Sequence, residues 1–143
     1  MLVIDASVFI MLFRDEEETA AAREMLDALI ARAQPFLAPS IALYEVLSNA
    51  LHYERPFTEV ADFFSALQPL GLSLEELTRA DLSRAETICT ARAPTGGYAT
   101  LIDSIYHAMA IERGGTFVTA DRRHVDKTAH LGHVILLADW RPA

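Results

Sequence analysis

Four acidic residues in the chain, Asp5, Glu45, Asp103 and Asp121, each lie among apolar neighbours. Their contexts are LVIDAS, IALYEVLSN, TLIDSIYHAMA and FVTADRR. A carboxylate inside an apolar element is costly unless a partner binds it. Carboxylates that are held close together also repel each other, and a hard divalent cation relieves that repulsion. The four acids therefore favour a Mg²⁺- or Mn²⁺-dependent enzyme of phosphoryl transfer.

Three of these acids also have an ordinary structural explanation. Asp5 is in a position to cap the helix that follows the first predicted strand. Asp103 completes the pattern Thr100-x-x-Asp103, which resembles a capping box. Asp121 could cap the short segment that begins at Arg122. None of these residues is specific alone, so the argument depends on the order and spacing of all four acids.

Glu45 shares a predicted helix face with Asn49, one turn further along the chain. The residues expected to be buried on this helix lie opposite that face and are Leu43, Val46, Leu47, Ala50 and Leu51. A solvated polar face therefore explains Glu45 as well, and taken alone it is the better account. Metal binding by Glu45 remains the alternative.

The chain alternates between short apolar strands and amphipathic helices. The patterns predict strands at 2–4, 36–38, 71–74, 116–119 and 134–137, and helices at 16–33, 41–53, 58–67, 80–93 and 100–113. Short apolar strands separated by helices indicate an α/β fold with a parallel sheet that is covered on both faces. Ligands of such sheets collect beyond the carboxyl ends of the strands, where Asp5 and Asp121 lie.

Length and composition favour one globular domain over residues 1–143. The chain is 52% apolar, which argues against disorder and permits a substantial core. The first apolar stretch is interrupted by Asp5 and Ser7, so we expect neither a signal peptide nor a membrane anchor. The single cysteine, Cys89, excludes an internal disulfide and suits the cytoplasm.

The net charge of −8 is unusual for an enzyme that acts on nucleic acids. The run from Asp15 to Glu18 alone contributes four negative charges, and bound cations would neutralise more. The remaining charge predicts weak, salt-sensitive binding of nucleic acid, or a basic partner protein.

The combination of acidic motifs resembles the PIN-domain nucleases, and more narrowly the VapC-type toxins of bacterial and archaeal toxin–antitoxin pairs. The segments that carry the resemblance are Asp5 with Ser7 after the opening strand, Glu45 with Asn49, residues 100–110, and Thr119-x-Asp121. The resemblance covers nearly the whole chain, although residues 58–93 carry only a generic helical pattern.

The resemblance implies a three-layer α/β/α sandwich around a mostly parallel sheet of about five strands. It also implies that the four acids converge on one or two Mg²⁺ or Mn²⁺ ions and hydrolyse RNA phosphodiester bonds. Asp5, Glu45 and Asp103 are then the direct ligands. Asp121 is expected outside this set or at a second ion.

Five further residues are candidates for support of the site. Ser7 and Thr119 could hydrogen-bond the ligand carboxylates or bound water, although turn chemistry explains them about as well. Asn49 could orient Glu45 or contact RNA. Arg122 and Arg123 could bind a substrate phosphate, and solvated surface is their alternative.

The VapC resemblance also implies partners. Such toxins form homodimers and are inhibited by a VapB-type antitoxin whose basic tail enters the acidic groove. By resemblance alone, the antitoxin is expected on the helices between residues 40 and 67. A PIN-type nuclease of RNA processing without an antitoxin, and a catalytically silent scaffold module, remain alternatives.

Two other site types are disfavoured by the sequence. His124, His130 and His133 lack cysteine partners and the spacing of structural zinc sites, so we expect them at the surface or at helix caps. His107, one turn after Asp103, is expected in packing or in support of the site. A phosphatase of the haloacid dehalogenase type needs a second aspartate where this chain has Ser7.

Overall fold

The computed structural model describes residues 1–14 and 19–143. The acidic run from Asp15 to Glu18, and the predicted start of a helix at residue 16, lie outside the described residues. The described chain contains a five-stranded sheet with the strands β1 (Leu2–Ile4), β2 (Phe36–Pro39), β3 (Leu72–Glu75), β4 (Thr116–Thr119) and β5 (Val134–Leu136). Their order is β3-β2-β1-β4-β5, and every neighbouring pair is parallel.

The centre of the sheet is strand β1, which is buried along its whole length. Its Leu2 pairs with Phe36 of β2 on one side and with Thr116 of β4 on the other. Strands that are buried on both faces read as continuous apolar runs, which is why LVI and FLAP carry no alternating pattern. The prediction of an α/β fold with a parallel five-stranded sheet is confirmed.

In residues 1–14 and 19–143, seven α-helices flank the sheet. They are α1 (Ala6–Leu12), α2 (Thr19–Ala31), α3 (Ile41–His52), α4 (Phe57–Leu67), α5 (Arg79–Thr90), α6 (Leu101–Glu112) and α7 (Arg122–Thr128). Helices α1 to α4 pack against one another, whereas α5 packs on α6, which in turn contacts β1, β2 and β4. Within the described ranges, no helix combines the length and apolar character that a membrane span requires.

The buried face of α3 is rotated from the one that the sequence predicts. The buried residues are Ala42, Val46 and Ala50, whereas Leu51 is 65% exposed. A row of small residues spaced four apart lets α3 lie close to α1 and α4. Packing between helices selects this row. The prediction from apolar content alone that Leu51 is buried was therefore wrong.

A glycine pair joins α6 to β4 and fixes the position of that strand. Gly114 adopts a positive φ of 61° just beyond the helix. A Cβ atom on Gly115 would collide with the carbonyl oxygen of Met1, and the same oxygen accepts a hydrogen bond from Thr116 N at 3.0 Å. The close approach draws β4 onto β1 and thereby aligns the ends of both strands.

Candidate active site

Asp5 and Asp121 meet at the carboxyl edge of the sheet. Asp5 directly follows β1, and Asp121 follows the adjacent β4 by two residues. Asp5 occupies the N-cap position of α1, but its side chain makes no capping hydrogen bond. It is only 5% exposed, so helix capping does not explain this buried acid.

Two hydroxyl groups hold Asp5 in place. Ser7 Oγ donates to Asp5 Oδ2 at 2.6 Å, and Thr119 Oγ1 donates to the same oxygen at 2.7 Å. The serine hydroxyl accepts a hydrogen bond from Ala120 N at 3.1 Å, and the threonine hydroxyl accepts one from Asp121 N at 3.0 Å. The two hydroxyls therefore tie the carboxylate after β1 to the turn that carries Asp121.

Glu45 and Asp103 are each held by a hydroxyl donor from α6 or its cap. The hydroxyl of Tyr106 donates to Glu45 Oε1 at 2.7 Å across 61 residues of sequence. Thr100 Oγ1 donates to Asp103 Oδ2 at 2.9 Å while it accepts from the Asp103 backbone N–H at 3.3 Å. Half of the predicted capping box is thus present. Thr100 caps the helix, but the Asp103 carboxylate accepts from the Thr100 hydroxyl and not from the Thr100 backbone N–H.

Tyr106 is a rigid donor. It is fully buried, and its ring stacks on Phe117 with 5.5 Å between the centroids. Burial raises the pKa of the Tyr106 hydroxyl, and the nearby Asp5 and Glu45 raise it further. The group consequently keeps its proton and directs it at Glu45.

The four acids form one electrostatic group. Burial raises the pKa of Asp5 to about 7, against the opposing effect of the hydrogen bonds from Ser7 and Thr119, and repulsion from Asp103 and Glu45 adds to the rise. Burial and nearby Asp103 likewise raise the pKa of Glu45. Asp103 has its pKa raised by burial and by Asp121, while Lys127 opposes this effect.

The type of donor suits a hard divalent cation. In residues 1–14 and 19–143, no three acidic, histidine or cysteine side chains form a ready-made ligand set. The donor chemistry nevertheless fits Mg²⁺ or Mn²⁺, because these ions prefer carboxylate oxygens. Neighbouring carboxylates with raised pKa values are also the groups whose repulsion a cation relieves.

A cavity of about 180 Å³ lies over two of the acids. Asp103 and Asp121 line it together with the cationic Arg123 and Lys127. Asp121 also caps α7, since its Oδ1 accepts from Arg123 N at 2.9 Å. An acidic floor with cations beside it can receive a phosphate group and a metal ion at once. The lining of this acid cavity does not include Asp5 or Glu45.

The remaining predicted site residues lie at different distances from this centre. Arg122 and Arg123 are both exposed in the first turn of α7, but only Arg123 lines the acid cavity. Asn49 is half-buried and lines a small recess with Ile10 and Tyr53. Within the described part of the chain, the side chains of Asn49 and Glu45 are not hydrogen-bonded to each other.

Two histidines form a buried chain beside the acid cavity. His107 Nε2 lies 2.7 Å from Gly132 O and must donate to it, so its Nδ1 accepts from His124 Nε2 at 3.1 Å. Burial lowers the pKa of both histidines to about 4. His124 is only 2% exposed, so the prediction of a surface position for it was wrong. The apolar contacts of α6 and Phe117 enclose the ring.

Three residues of the site were not identified from the sequence. Tyr106 could have been found from its position three residues after Asp103, on the same side of α6. Lys127, the only lysine in the chain, donates from Nζ to Tyr98 O at 3.0 Å at the wall of the acid cavity. Thr100 was considered only as a cap.

These observations define an α/β fold with an all-parallel sheet and a group of carboxylates near the carboxyl ends of its strands. The chain belongs to the PIN domain family, whose model matches residues 2–131. The family resemblance that the motifs predict is thereby confirmed.

Three solved structures share this fold over nearly their whole length. A toxin–antitoxin complex from Klebsiella pneumoniae aligns with a TM-score of 0.65 and 17% identity, over 96% of this chain and 98% of that one. The sarcin–ricin loop cleaving toxin VapC20 from Mycobacterium tuberculosis has a TM-score of 0.66 and 17% identity, over 94% and 97%. FitAcB from Neisseria gonorrhoeae has a TM-score of 0.64 and 18% identity, over 98% and 100%. No curated protein sequence matches the chain.

Proposed function

We propose that the protein is a metal-dependent endoribonuclease and the toxin of a toxin–antitoxin pair. The observation that carries the proposal is the electrostatic group formed by Asp5, Glu45 and Asp103 at the carboxyl edge of the sheet. Membership in the PIN domain family supports it, as does the likeness in fold to toxin structures.

Each acid has a proposed role. Asp5, Glu45 and Asp103 would hold one or two Mg²⁺ or Mn²⁺ ions, with Asp121 outside this set or at the second ion. When bound, such ions supply an acidified water and neutralise charge on the phosphate. The hydroxyls of Ser7 and Thr119 orient Asp5. The Tyr106 hydroxyl does the same for Glu45.

Cations beside the acids are the proposed contacts for the RNA backbone. Arg123 and Lys127 line the acid cavity and would bind the phosphate that is cut or its neighbour. Arg122 is proposed as an outer phosphate contact. Asn49 is proposed to contact RNA or to support Glu45 after a change of side-chain conformation.

The proposal extends to partners and setting. Residues 1–143 would act as one domain and form a homodimer, and a basic antitoxin tail would neutralise the acid cavity. The one free cysteine, Cys89, suits a reducing cytoplasm.

The first experiment measures cleavage of mixed cellular RNA by the purified chain with Mg²⁺ or Mn²⁺. Asp103→Asn should abolish cleavage, whereas Asp126→Asn, an exposed acid on α7, should retain it. Cleavage that needs no divalent cation, or that survives in Asp103→Asn, would contradict the proposed centre. A folded chain that cuts no RNA with either metal would favour the silent scaffold.

A second experiment tests the antitoxin. Expression of the chain alone should arrest growth, and co-expression with the product of the neighbouring reading frame should restore growth and give a stable complex. Harmless expression of the active nuclease without a partner would retain the nuclease but reject the toxin.

A further inference from the structure

A second cavity lies between α5, α6 and the segment that follows α7. Its volume is about 230 Å³. Its floor is apolar and consists of the buried Ile88, Ala93 and Ala99, and the partly buried Ile111 and the exposed Leu131 also line the cavity. We call this space the side cavity. An apolar floor in an otherwise polar surface indicates a place where a ligand can bury an uncharged ring.

The rim of the side cavity is positive, although the whole chain carries a net charge of −8. Arg84, Arg92 and Lys127 line the rim with His130 and His133, and none of the described residues that line it is acidic. Arg84 is neutralised by an ion pair from its Nε to Oε1 of Glu112 on α6, at 2.8 Å. Arg92 and Lys127 therefore supply the rim with charge that can meet an anion.

The side cavity and the acid cavity share a wall. Ala99 and Lys127 line both spaces. A polymer with a phosphate in the acid cavity can thus present its adjoining unit to the side cavity, with Lys127 between the two. Arg123 lines the acid cavity with Lys127 but does not line the side cavity.

The side cavity also offers a fixed aromatic ring. His133 has a positive φ of 58°, in the left-handed region, and its Nδ1 donates to Gly115 O at 2.7 Å. The hydrogen bond fixes the orientation of the ring in the cavity wall. Imidazole rings and guanidinium planes are surfaces on which unpaired bases stack.

We infer that the side cavity binds one unstacked nucleobase of single-stranded RNA, adjacent to the phosphate that is received in the acid cavity. The base ring packs on the apolar floor, and Arg92 and Lys127 bind the flanking phosphates. The volume is below that of most pockets for drug-sized ligands, which suits one heteroaromatic ring. The inference rests on the proposed nuclease function and names its substrate as single-stranded at this position.

The direct test is nuclear magnetic resonance of the full chain without divalent cations, titrated with adenosine or uridine 5′-monophosphate. Backbone shifts should change at Ile88, Ala93 and Leu131. Ala91→Leu, which adds bulk at an exposed position of the wall, and Arg92→Ala should each weaken binding at least fivefold. Arg79→Ala, which changes an exposed arginine at the start of α5 outside the cavity, is the matched control. Shifts that are confined to the acid cavity, or their absence, would overturn the inference.

The second test measures cleavage of a short RNA in which the nucleotide beside the cut lacks its base. Loss of the base should raise KM about tenfold with a smaller change in kcat, as expected for one lost stacking contact. In Ala91→Leu the intact and abasic RNAs should have the same KM. Equal KM values in the native chain would reject the base site and leave the nuclease standing. Nucleotide shifts in a chain that cuts no RNA would reject the nuclease and retain the base site.

Discussion

Asp5 is a buried carboxylate, and its burial should make the metal-free fold less stable where this group is ionised. Its pKa rises from 3.8 to about 7, so between these values the folded state binds more protons at Asp5 than the unfolded chain does. The free energy of unfolding of the metal-free protein should consequently fall as the pH rises through this range. A divalent cation should reverse the loss, because it competes with the proton.

Asp5→Asn should therefore abolish cleavage while stabilising the metal-free protein at pH 8 by about 4 kcal/mol. Denaturant unfolding with and without Mg²⁺ or Mn²⁺ measures both effects. Metal should raise the melting temperature of the native chain more at pH 8 than at pH 6, and should leave Asp5→Asn nearly unchanged. An Asp5→Asn protein that is less stable than the native chain at pH 8 would show that the carboxylate has a structural role.

Tyr106→Phe tests whether the hydroxyl positions Glu45. The hydrogen bond from Tyr106 holds the pKa of Glu45 down against burial. Its loss should raise that pKa, shift the acid limb of the rate profile to higher pH, and lower cleavage by about tenfold if one hydrogen bond is lost. The comparison is Tyr98→Phe, an exposed tyrosine near the acid cavity. An unchanged pH profile in Tyr106→Phe would limit the residue to packing.

Most acids of the site could be named from the sequence because each stands out against an apolar strand or helix. Tyr106 was not named, although its position one turn after Asp103 is visible in the sequence, because only the fold shows that its hydroxyl reaches Glu45 from 61 residues away. The sequence also does not reveal which way the Asp5 carboxylate points. A residue that directly precedes a helix is expected to cap it, and only the positions of Ser7 and Thr119 show that its carboxylate turns elsewhere.

Strands β1 and β4 and the turns that follow them behave as one unit through the hydroxyls of Ser7 and Thr119. Thr119→Val keeps the shape of the side chain but leaves Asp5 Oδ2 and Asp121 N–H without that partner. We expect a loss of stability of about 1–3 kcal/mol and a loss of cleavage, because the two acids then lose their common anchor. Thr116→Val, at the other end of β4, is the control for threonine loss and should change stability little.

Helices α6 and α7 are joined through the buried histidine pair. Because burial lowers the pKa of His107 and His124 from 6.5 to about 4, the unfolded chain binds more protons between these values. Stability should fall as the pH drops from 6.5 to 4, by roughly 3 kcal/mol for each histidine. The free energy of unfolding should be measured against pH in the Asp5→Asn variant, because Asp5 makes stability change in the opposite direction over the same pH range. His52→Gln, at an exposed position on α3, should leave the slope as it is.

Strands and helices were predicted well where the apolar pattern is local, as in β1 and α4. The bounds of α5 were predicted less well. The helix ends at Thr90 because Ala91 turns to extended backbone, although no helix-breaking residue occurs before Pro94. The face of α3 that packs on its neighbours was also beyond sequence reasoning, since tertiary contacts choose between overlapping apolar arcs.

The placement of positive charge among the described residues bears on the proposed RNA binding by a chain with a net charge of −8. Positive groups are few, but Arg123 and Lys127 stand beside the acids. The affinity for RNA should fall with salt, and Lys127→Ala should reduce the slope of log K against log salt by about 1. Arg23→Ala, an exposed change on α2, should leave the slope unchanged. If Lys127→Ala leaves the slope of log K against log salt unchanged, Lys127 does not contact an RNA phosphate.

The hydrogen bond between Thr119 and Asp5 spans 114 residues of sequence. During synthesis, Asp5 leaves the ribosome long before β4, the strand that completes the centre. Contacts so far apart in sequence also form slowly. The proposed centre therefore stays incomplete in a newly made chain until residues 116–121 have folded onto the first strand.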